Sequence, residues 1–109
     1  MFYKKSNDHY ITAVSGVDRK TIVYGQNTLM SEFKLKKNSI LPMHAHPQEQ
    51  TGYLVAGRIR LILDTQVHDC EPGDSWCIPG DMVHGAEILE DSIAIEVFSP
   101  ARKDYLPET

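Results

Sequence analysis

The chain has 109 residues, of which 41% are hydrophobic and 24% are charged, and its formal net charge at pH 7 is −4. These values are typical of a globular protein with one core, which at this length needs no disulfide. The negative charge gives no electrostatic reason to expect nucleic acid or an anionic membrane as a partner. The segment MFYKKSNDHY lacks the apolar core of a signal peptide, and no apolar run reaches transmembrane length, so we expect a cytoplasmic protein.

Short runs rich in β-branched and aromatic residues follow one another along the chain. Turn-forming sequences with Gly, Pro, Asn or Asp separate them, and no long window shows a helical period with caps. This pattern predicts an all-β sandwich or barrel, in one domain over residues 1–109. The predicted strands are Thr21–Tyr24, Met30–Leu35, Gly52–Ala56, Arg58–Leu63, Ser75–Ile78, His84–Ile88 and Ser92–Phe98.

Two histidines flank one alanine in the stretch LPMHAHPQEQTGYLVAG. Residues i and i+2 of a strand share a face, so His44 and His46 can direct both imidazoles at one ion. Either Glu49 or Gln50 can supply a third ligand, and only Gln50 keeps the same parity. His84, after the turn IPGDMV, can supply a fourth.

Other histidines and the cysteines lack such a pattern. We expect His9 and His68 on the surface, since each lies in a polar segment. Cys70 and Cys77 fit neither a CxxC motif nor zinc-finger spacing, and we expect two reduced thiols, with Cys77 packed as a small hydrophobic residue.

Alternation in the last predicted strand separates two faces. One is entirely aliphatic and suits a core between two sheets. The other places Glu96 beside Phe98 and suits either solvent or a small-molecule cavity. The aliphatic face comprises Ile93, Ile95 and Val97.

The pattern HxHxxxQ, then Gly57, then GDSWCIP ending at His84, resembles the cupin family over nearly the whole chain. The resemblance implies a double-stranded β-helix of jelly-roll type, with a barrel core at about residues 30–100. It also implies one divalent transition metal ion per chain (Zn, Ni, Fe, Mn or Cu) near one mouth of the barrel. Two positions depart from the family pattern: Gln50 replaces the usual Glu, and Asp81 replaces a glycine. The implied ligands are His44, His46, Gln50 and His84.

The C-terminal run EVFSPARKDYL, together with HAHPQEQTGYLVAG, resembles the small cupins that convert 4,5-unsaturated uronates from pectin and alginate to their linear keto forms. In that family an Asp stands where this chain has Glu96. The resemblance implies that Glu96 moves a proton, that Arg102 binds the substrate carboxylate, and that Phe98 packs on the sugar. Arg60 is a further substrate-binding candidate, and Tyr53, which has the opposite parity, is expected in the core.

The sequence also allows other roles for two residues and other functions for the protein. Glu96 can instead face solvent, and Arg102 can form a surface salt bridge with Asp104 or a neighbouring chain. The protein can instead be an Fe(II)-dependent dioxygenase or a cupin that binds a small ligand without turnover. We expect a homodimer in which Thr21–Tyr24 or Met30–Leu35 pairs with, or crosses to, a second copy.

Overall fold

The computed structural model describes residues 1–106, which form ten strands in two antiparallel sheets. The larger sheet has the order β1-β2-β3-β10-β5-β8, and the smaller has the order β4-β9-β6-β7. The strands are β1 (Ile11–Val14), β2 (Val17–Tyr24), β3 (Leu29–Leu35), β4 (Ile40–His44), β5 (Glu49–Ala56), β6 (Ile59–Leu63), β7 (Gln66–Cys70), β8 (Ser75–Ile78), β9 (His84–Ile88) and β10 (Ser92–Ser99).

The two sheets bury their inward faces against each other, which confirms the all-β jelly-roll prediction. The core cluster takes residues from both sheets, such as Phe33 and Leu54 from the larger and Leu61 and Ile88 from the smaller. A 3-10 turn at Lys103–Tyr105 is the only helical element among residues 1–106. No helix in this part of the chain is long and apolar enough to cross a membrane.

Three strands, β1, β4 and β7, were not predicted from the sequence. Each lies at the edge of a sheet, and nearly all of its side chains are exposed or half-buried. A strand without a buried face needs no alternation of apolar and polar residues, so its sequence carries little strand signal.

The expectation that the aliphatic face of β10 lies in the core was wrong, whereas the face with Glu96 and Phe98 lines a cavity, one of the two alternatives expected for it. The inward, buried residues of β10 are Ser92, Ala94, Glu96 and Phe98, whereas the aliphatic residues are half-buried on the outer face. β10 lies between β3 and β5, so neighbouring side chains shield its outer face even though no second sheet covers it. Inside the barrel, the same strand lines a cavity and so accommodates a polar residue.

Two further side chains lie outside the core rather than in it. Tyr53 is 50% exposed, because the odd-numbered residues of β5 point away from the barrel. Cys77 is also exposed, on the outer side of β8, whereas Cys70 is buried. Both thiols are free, as expected.

Candidate functional site

The pairing of β4 with β9 brings two of the predicted histidines together. His44 and His84 are directly opposite each other in the antiparallel register. β4 ends at His44, so His46 lies just beyond the strand rather than on it. The ligand-capable nitrogens of His44, His46 and His84 nevertheless lie within 4.8 Å of one another. The three imidazoles can therefore hold one metal ion.

The turn that precedes β9 packs against the loop that carries His46. The backbone N–H of Asp81 donates to the carbonyl oxygen of His46 (2.8 Å). Gly80 lies so close to this loop that a Cβ atom there would be 2.4 Å from the carbonyl oxygen of Pro47. Asp81 has a φ of 67°, in the left-handed region that glycine adopts most easily. This conformation explains the glycine found here in the cupins that the chain resembles.

Backbone carbonyls fix the orientation of all three histidine rings. In each ring, Nδ1 lies within hydrogen-bonding distance of the carbonyl two residues away along the chain. Since a carbonyl only accepts, Nδ1 carries the proton, and Nε2 keeps its lone pair in the neutral ring. The pairs are His44 with Pro42 (2.8 Å), His46 with Gln48 (3.0 Å) and His84 with Met82 (2.9 Å).

Burial keeps two of these rings neutral and leaves one nitrogen without a partner. Burial lowers the pKa of His84 to about 4, and burial, together with the charge of Arg102, lowers the pKa of His46. The Nε2 of His84 is the one buried side-chain nitrogen or oxygen without a hydrogen bond among residues 1–106. A buried lone pair that faces two other imidazoles is what a metal ion requires, so these residues fit such an ion.

Gln50 lies beside this cluster, on the buried face of β5. Its Oε1 is 2.9 Å from the Nε2 of His46. With the proton of His46 on Nδ1, both of these atoms are acceptors, and a cation bound by both would satisfy them. Glu49, the alternative ligand considered from the sequence, is exposed.

A cavity inside the barrel joins the histidines to the residues of the C-terminal motif. Its wall is formed mostly by apolar side chains from both sheets, among them Phe33, Leu41 and Ile78. The polar and charged part of the wall consists of His44, Gln50, His84, Glu96, Arg102 and Tyr105.

Glu96 is buried within this cavity, with only 7% of its surface exposed. The indole N–H of Trp76 lies 3.2 Å from each of its carboxyl oxygens. Burial raises the pKa of Glu96 to about 8, although hydrogen bonds from Gln50 and Trp76 act in the opposite direction. A carboxyl group with a pKa near neutrality can both give and accept a proton at physiological pH.

Arg102 lies at the cavity and also forms the salt bridge with Asp104 that was considered from the sequence. Its guanidinium donates to both carboxylate oxygens of Asp104 (3.2 and 2.7 Å). The guanidinium carbon lies 4.0 Å from the ring centroid of Tyr105 and 5.2 Å from that of Phe98. Phe98 itself is 1% exposed and packs edge-on against His46.

Arg60 does not lie at the cavity, which corrects the sequence prediction. Its guanidinium forms ion pairs with Asp69 (3.1 Å) and Glu87 (3.2 Å) on the outer side of the smaller sheet. These partners stand opposite Arg60 on the two neighbouring strands, so the pairing of β6 with β7 and β9 directs the side chain outward.

Trp76 and Tyr105 line the cavity, although the sequence analysis assigned neither of them a role. The 3-10 turn carries Tyr105 back onto the barrel, where its backbone carbonyl accepts a hydrogen bond from Thr21. The guanidinium carbon of Arg19 lies 3.8 Å from the ring centroid of Tyr105. Trp76 is two residues from the buried Ile78 on β8, so alternation along the strand could have placed its side chain on the inward face. No local sequence pattern indicates the position of Tyr105.

The family model of the Cupin domain matches residues 31–99, which include the histidine cluster and most of both sheets. The chain belongs to the cupin family. This cupin is 29% identical over 93 residues to the pectin degradation protein KdgF of Dickeya dadantii (strain 3937), a match that covers 84% of each chain.

Solved structures show the same architecture. KdgF from Halomonas sp. superposes with a TM-score of 0.90 at 29% identity, over 97% of this chain and 100% of that one. An RmlC-like cupin from Shewanella frigidimarina NCIMB 400 gives the same TM-score at 24% identity, over 97% and 96% of the two chains. The resemblance to pectin-degradation cupins noted in the sequence is therefore confirmed.

Proposed function

We propose that this cupin is a metal-dependent enzyme that opens 4,5-unsaturated uronate monosaccharides and converts them to linear keto acids. The observation that carries the proposal is a buried carboxyl group, Glu96, in one cavity with the guanidinium of Arg102 and with two histidines, His44 and His84, of the metal-competent cluster. The similarity to KdgF proteins, one of which is named for pectin degradation, supports this choice of substrate.

The proposed ligands for one divalent transition metal ion per chain are His44, His46, Gln50 and His84. Three imidazoles suit Zn, Ni, Fe, Mn or Cu. When bound, the ion supplies Lewis acidity toward an anionic substrate oxygen. We further propose that residues 1–109 form one cupin domain with its barrel core at about residues 30–100, and that the protein acts in the cytoplasm as a homodimer.

The proposed chemistry needs one proton to move within the substrate. The ring oxygen of an unsaturated uronate is attached to the C4=C5 double bond, so opening the hemiacetal leaves an enol at C5. Ketonisation transfers a proton from the enol oxygen to C4. Glu96 gives its proton to C4, since a buried carboxyl with a pKa of about 8 holds a proton at neutral pH. The enol O–H bond breaks as the keto group forms, and its proton passes to the Glu96 carboxylate, which restores the carboxyl group for the next turnover.

Two other side chains bind the substrate in this proposal. Arg102 pairs with the substrate carboxylate, because a guanidinium recognises such a planar anion through two parallel hydrogen bonds. Phe98 packs against the apolar face of the sugar and keeps water away from the reacting carbons. Both residues line the cavity beside Glu96.

Loss of the double-bond absorbance tests the reaction directly, with lyase-generated unsaturated uronates as substrate. We expect metal-loaded protein to accelerate this loss equally with and without oxygen, whereas dependence on oxygen would indicate a dioxygenase. Glu96→Gln should retain the metal and lower kcat by roughly 10²–10⁴-fold, the contribution expected of a general acid. Glu87→Gln, which changes a half-buried glutamate outside the cavity, is the control. Parent-level turnover by Glu96→Gln would exclude the proposed proton donor.

The same assay separates binding from proton transfer. Arg102→Ala should act mainly by raising KM, because a carboxylate contact is made in both the ground and the transition state. Glu96→Asp places the residue of the resembled family at this position and should retain much of the activity. An unchanged KM in Arg102→Ala would remove this arginine from the substrate site.

Metal analysis tests the ligand assignment without any substrate. The double variant His46→Ala, His84→Ala should lose its metal while keeping the β-sheet circular dichroism of the parent. Replacement of the exposed His9 and His68 by Ala provides a matched double variant that should keep the metal. Full metal occupancy in the first variant would contradict the assignment.

A further inference from the structure

A row of three residues crosses the larger sheet beneath the cavity. Gly52 of β5 stands opposite Glu96 of β10 on one side and opposite Trp76 of β8 on the other. We infer that Trp76 and Gly52 hold the carboxyl group of Glu96 in its cavity-facing orientation. Trp76 is then a positioning residue for proton transfer, a role that rests on the function proposed above.

The indole of Trp76 reaches across the middle strand to the carboxyl group. Its only polar atom, Nε1, lies 3.2 Å from both Oε1 and Oε2 of Glu96, so one N–H is shared between the two oxygens. A donor centred between the oxygens restrains rotation of the carboxyl plane. Such restraint is required of a group that delivers a proton to one defined carbon atom.

Gly52 makes this contact possible because it has no side chain. A Cβ atom at this position would lie 2.1 Å from Nε1 of Trp76 and 2.3 Å from Oε2 of Glu96, far inside contact distance. The atom would stand between the donor and its acceptor. Glycine weakens a strand interior, so its presence in the middle of β5 is explained by the hydrogen bond that passes over it.

Trp76 differs in this respect from an ordinary packing residue. It lines the same cavity as Glu96 and is only half-buried. If it served packing alone, its N–H would need no buried partner. Gln50, which lines the same cavity, lies 2.9 Å from Nε2 of His46 and is a proposed metal ligand, so it cannot turn freely toward Glu96 when the ion is bound.

Nuclear magnetic resonance tests the contact without reference to any reaction. The chain contains one tryptophan, so its ¹H–¹⁵N spectrum holds a single indole N–H signal. Glu96→Leu, which removes the acceptor, should move this signal upfield and speed its exchange with solvent. Gly52→Ala should also displace it, whereas Glu87→Leu should leave it in place. An indole signal unchanged in Glu96→Leu would overturn the inference.

A crystal structure of Trp76→Phe tests the positioning itself, since phenylalanine keeps an aromatic ring but removes the N–H. We expect the Glu96 side chain to leave its parent rotamer or to occupy more than one. An unchanged, singly occupied rotamer would overturn the positioning role, whether or not any uronate is a substrate.

Kinetics then connect the orientation to turnover. Trp76→Phe should lower kcat about tenfold, the loss expected for one buried hydrogen bond, with KM changed by less than about twofold. A rise in KM at unchanged kcat would show that Trp76 only shapes the substrate site. Absence of turnover in the parent would instead refute the proposed function and leave the spectroscopic and crystallographic results to decide the positioning.

Discussion

Gln50 carries an amide where the general cupin pattern has a glutamate. Three neutral imidazoles and a neutral amide would leave the +2 charge of a bound ion uncompensated, which favours an anionic substrate oxygen. Gln50 is within hydrogen-bonding distance of His46 and lines the same cavity as Glu96, and its amide opposes the rise that burial causes in the pKa of that carboxyl group.

Gln50→Glu should therefore keep the metal but lower turnover. The added negative charge strengthens ion binding, reduces Lewis acidity and places a second carboxyl group in the cavity that holds Glu96. Chelator competition measures the metal affinity, and the uronate assay measures kcat. Gln66→Glu adds the same charge at an exposed site on β7 and should change neither quantity. A kcat equal to that of the parent would show that the neutral amide is not required.

The buried carboxyl group of Glu96 should make folding depend on pH in the metal-free protein. Burial raises its pKa from 4.5 to about 8, so between these values the unfolded chain loses a proton that the folded chain retains. The associated stability is complete below pH 4.5 and is lost as pH rises toward 8. The glutamine of Glu96→Gln cannot ionise, so this variant does not lose stability in this way as the pH rises.

We expect the difference in free energy of unfolding between Glu96→Gln and the parent to change by roughly 1–3 kcal/mol in favour of the variant from pH 5 to pH 7. Urea denaturation of the metal-free proteins at both pH values measures the difference. Since His84 has a lowered pKa and an opposite pH dependence, but is present in both proteins, its contribution cancels. A difference that stays constant with pH would mean that Glu96 ionises as easily in the folded state as in water.

At the level of structural elements, the turn between β8 and β9 determines where two of the histidines lie. It is bonded to the loop that carries His46, and it leads directly into His84 at the start of β9. The conformation of this turn therefore affects both the stability of the protein and its binding of metal.

Gly80→Ala should destabilise the protein by about 1–3 kcal/mol and weaken metal binding, because its Cβ would press on the backbone carbonyl of Pro47. Asp81→Gly should be neutral or stabilising by up to about 1 kcal/mol, since Asp81 already has a left-handed backbone conformation. Thermal unfolding and metal titration of the two variants test this contrast. Equal effects of both substitutions would show that the contact with Pro47 does not restrain the loop.

At the scale of the whole molecule, the basis for expecting a dimer changes. The predicted strand Met30–Leu35 lies within β3, which pairs with β2 and β10 along its length and therefore has no free edge for a second copy. Thr21–Tyr24 lies within β2 beyond residues 17–19, to which β1 pairs, so within the described part of the chain this segment pairs only with β3. The outer face of β5 and β10 is the better surface, because Tyr53 and Val55 are 50% and 46% exposed beside the half-buried Ile95.

We predict that light scattering at micromolar concentration will give the mass of a dimer, and that Val55→Lys will give a monomer. A charge at this position would have to be buried in the interface. Val67→Lys changes another exposed valine (57%), on β7 of the other sheet, and should remain dimeric. A monomeric parent would refute the dimer, and a dimeric Val55→Lys would refute this interface.

The sequence by itself determined the fold class, because short β-branched runs and turn residues are local signals. It also indicated the histidine cluster, through the HxH spacing and the cupin-like motif before His84, although His46 lies just beyond β4 rather than on it. The edge strands β1, β4 and β7 were not predicted because they lack the alternation of apolar and polar residues that a buried face requires.

Only the tertiary structure decided which face of β10 points inward. A period of two separates two faces of a strand but does not say which one is inside, and here the more polar face lines the cavity. The direction of Arg60 and the row formed by Trp76, Gly52 and Glu96 depend on pairing between strands that are distant in the sequence. Such pairing is set by packing of the complete barrel, which no local pattern encodes.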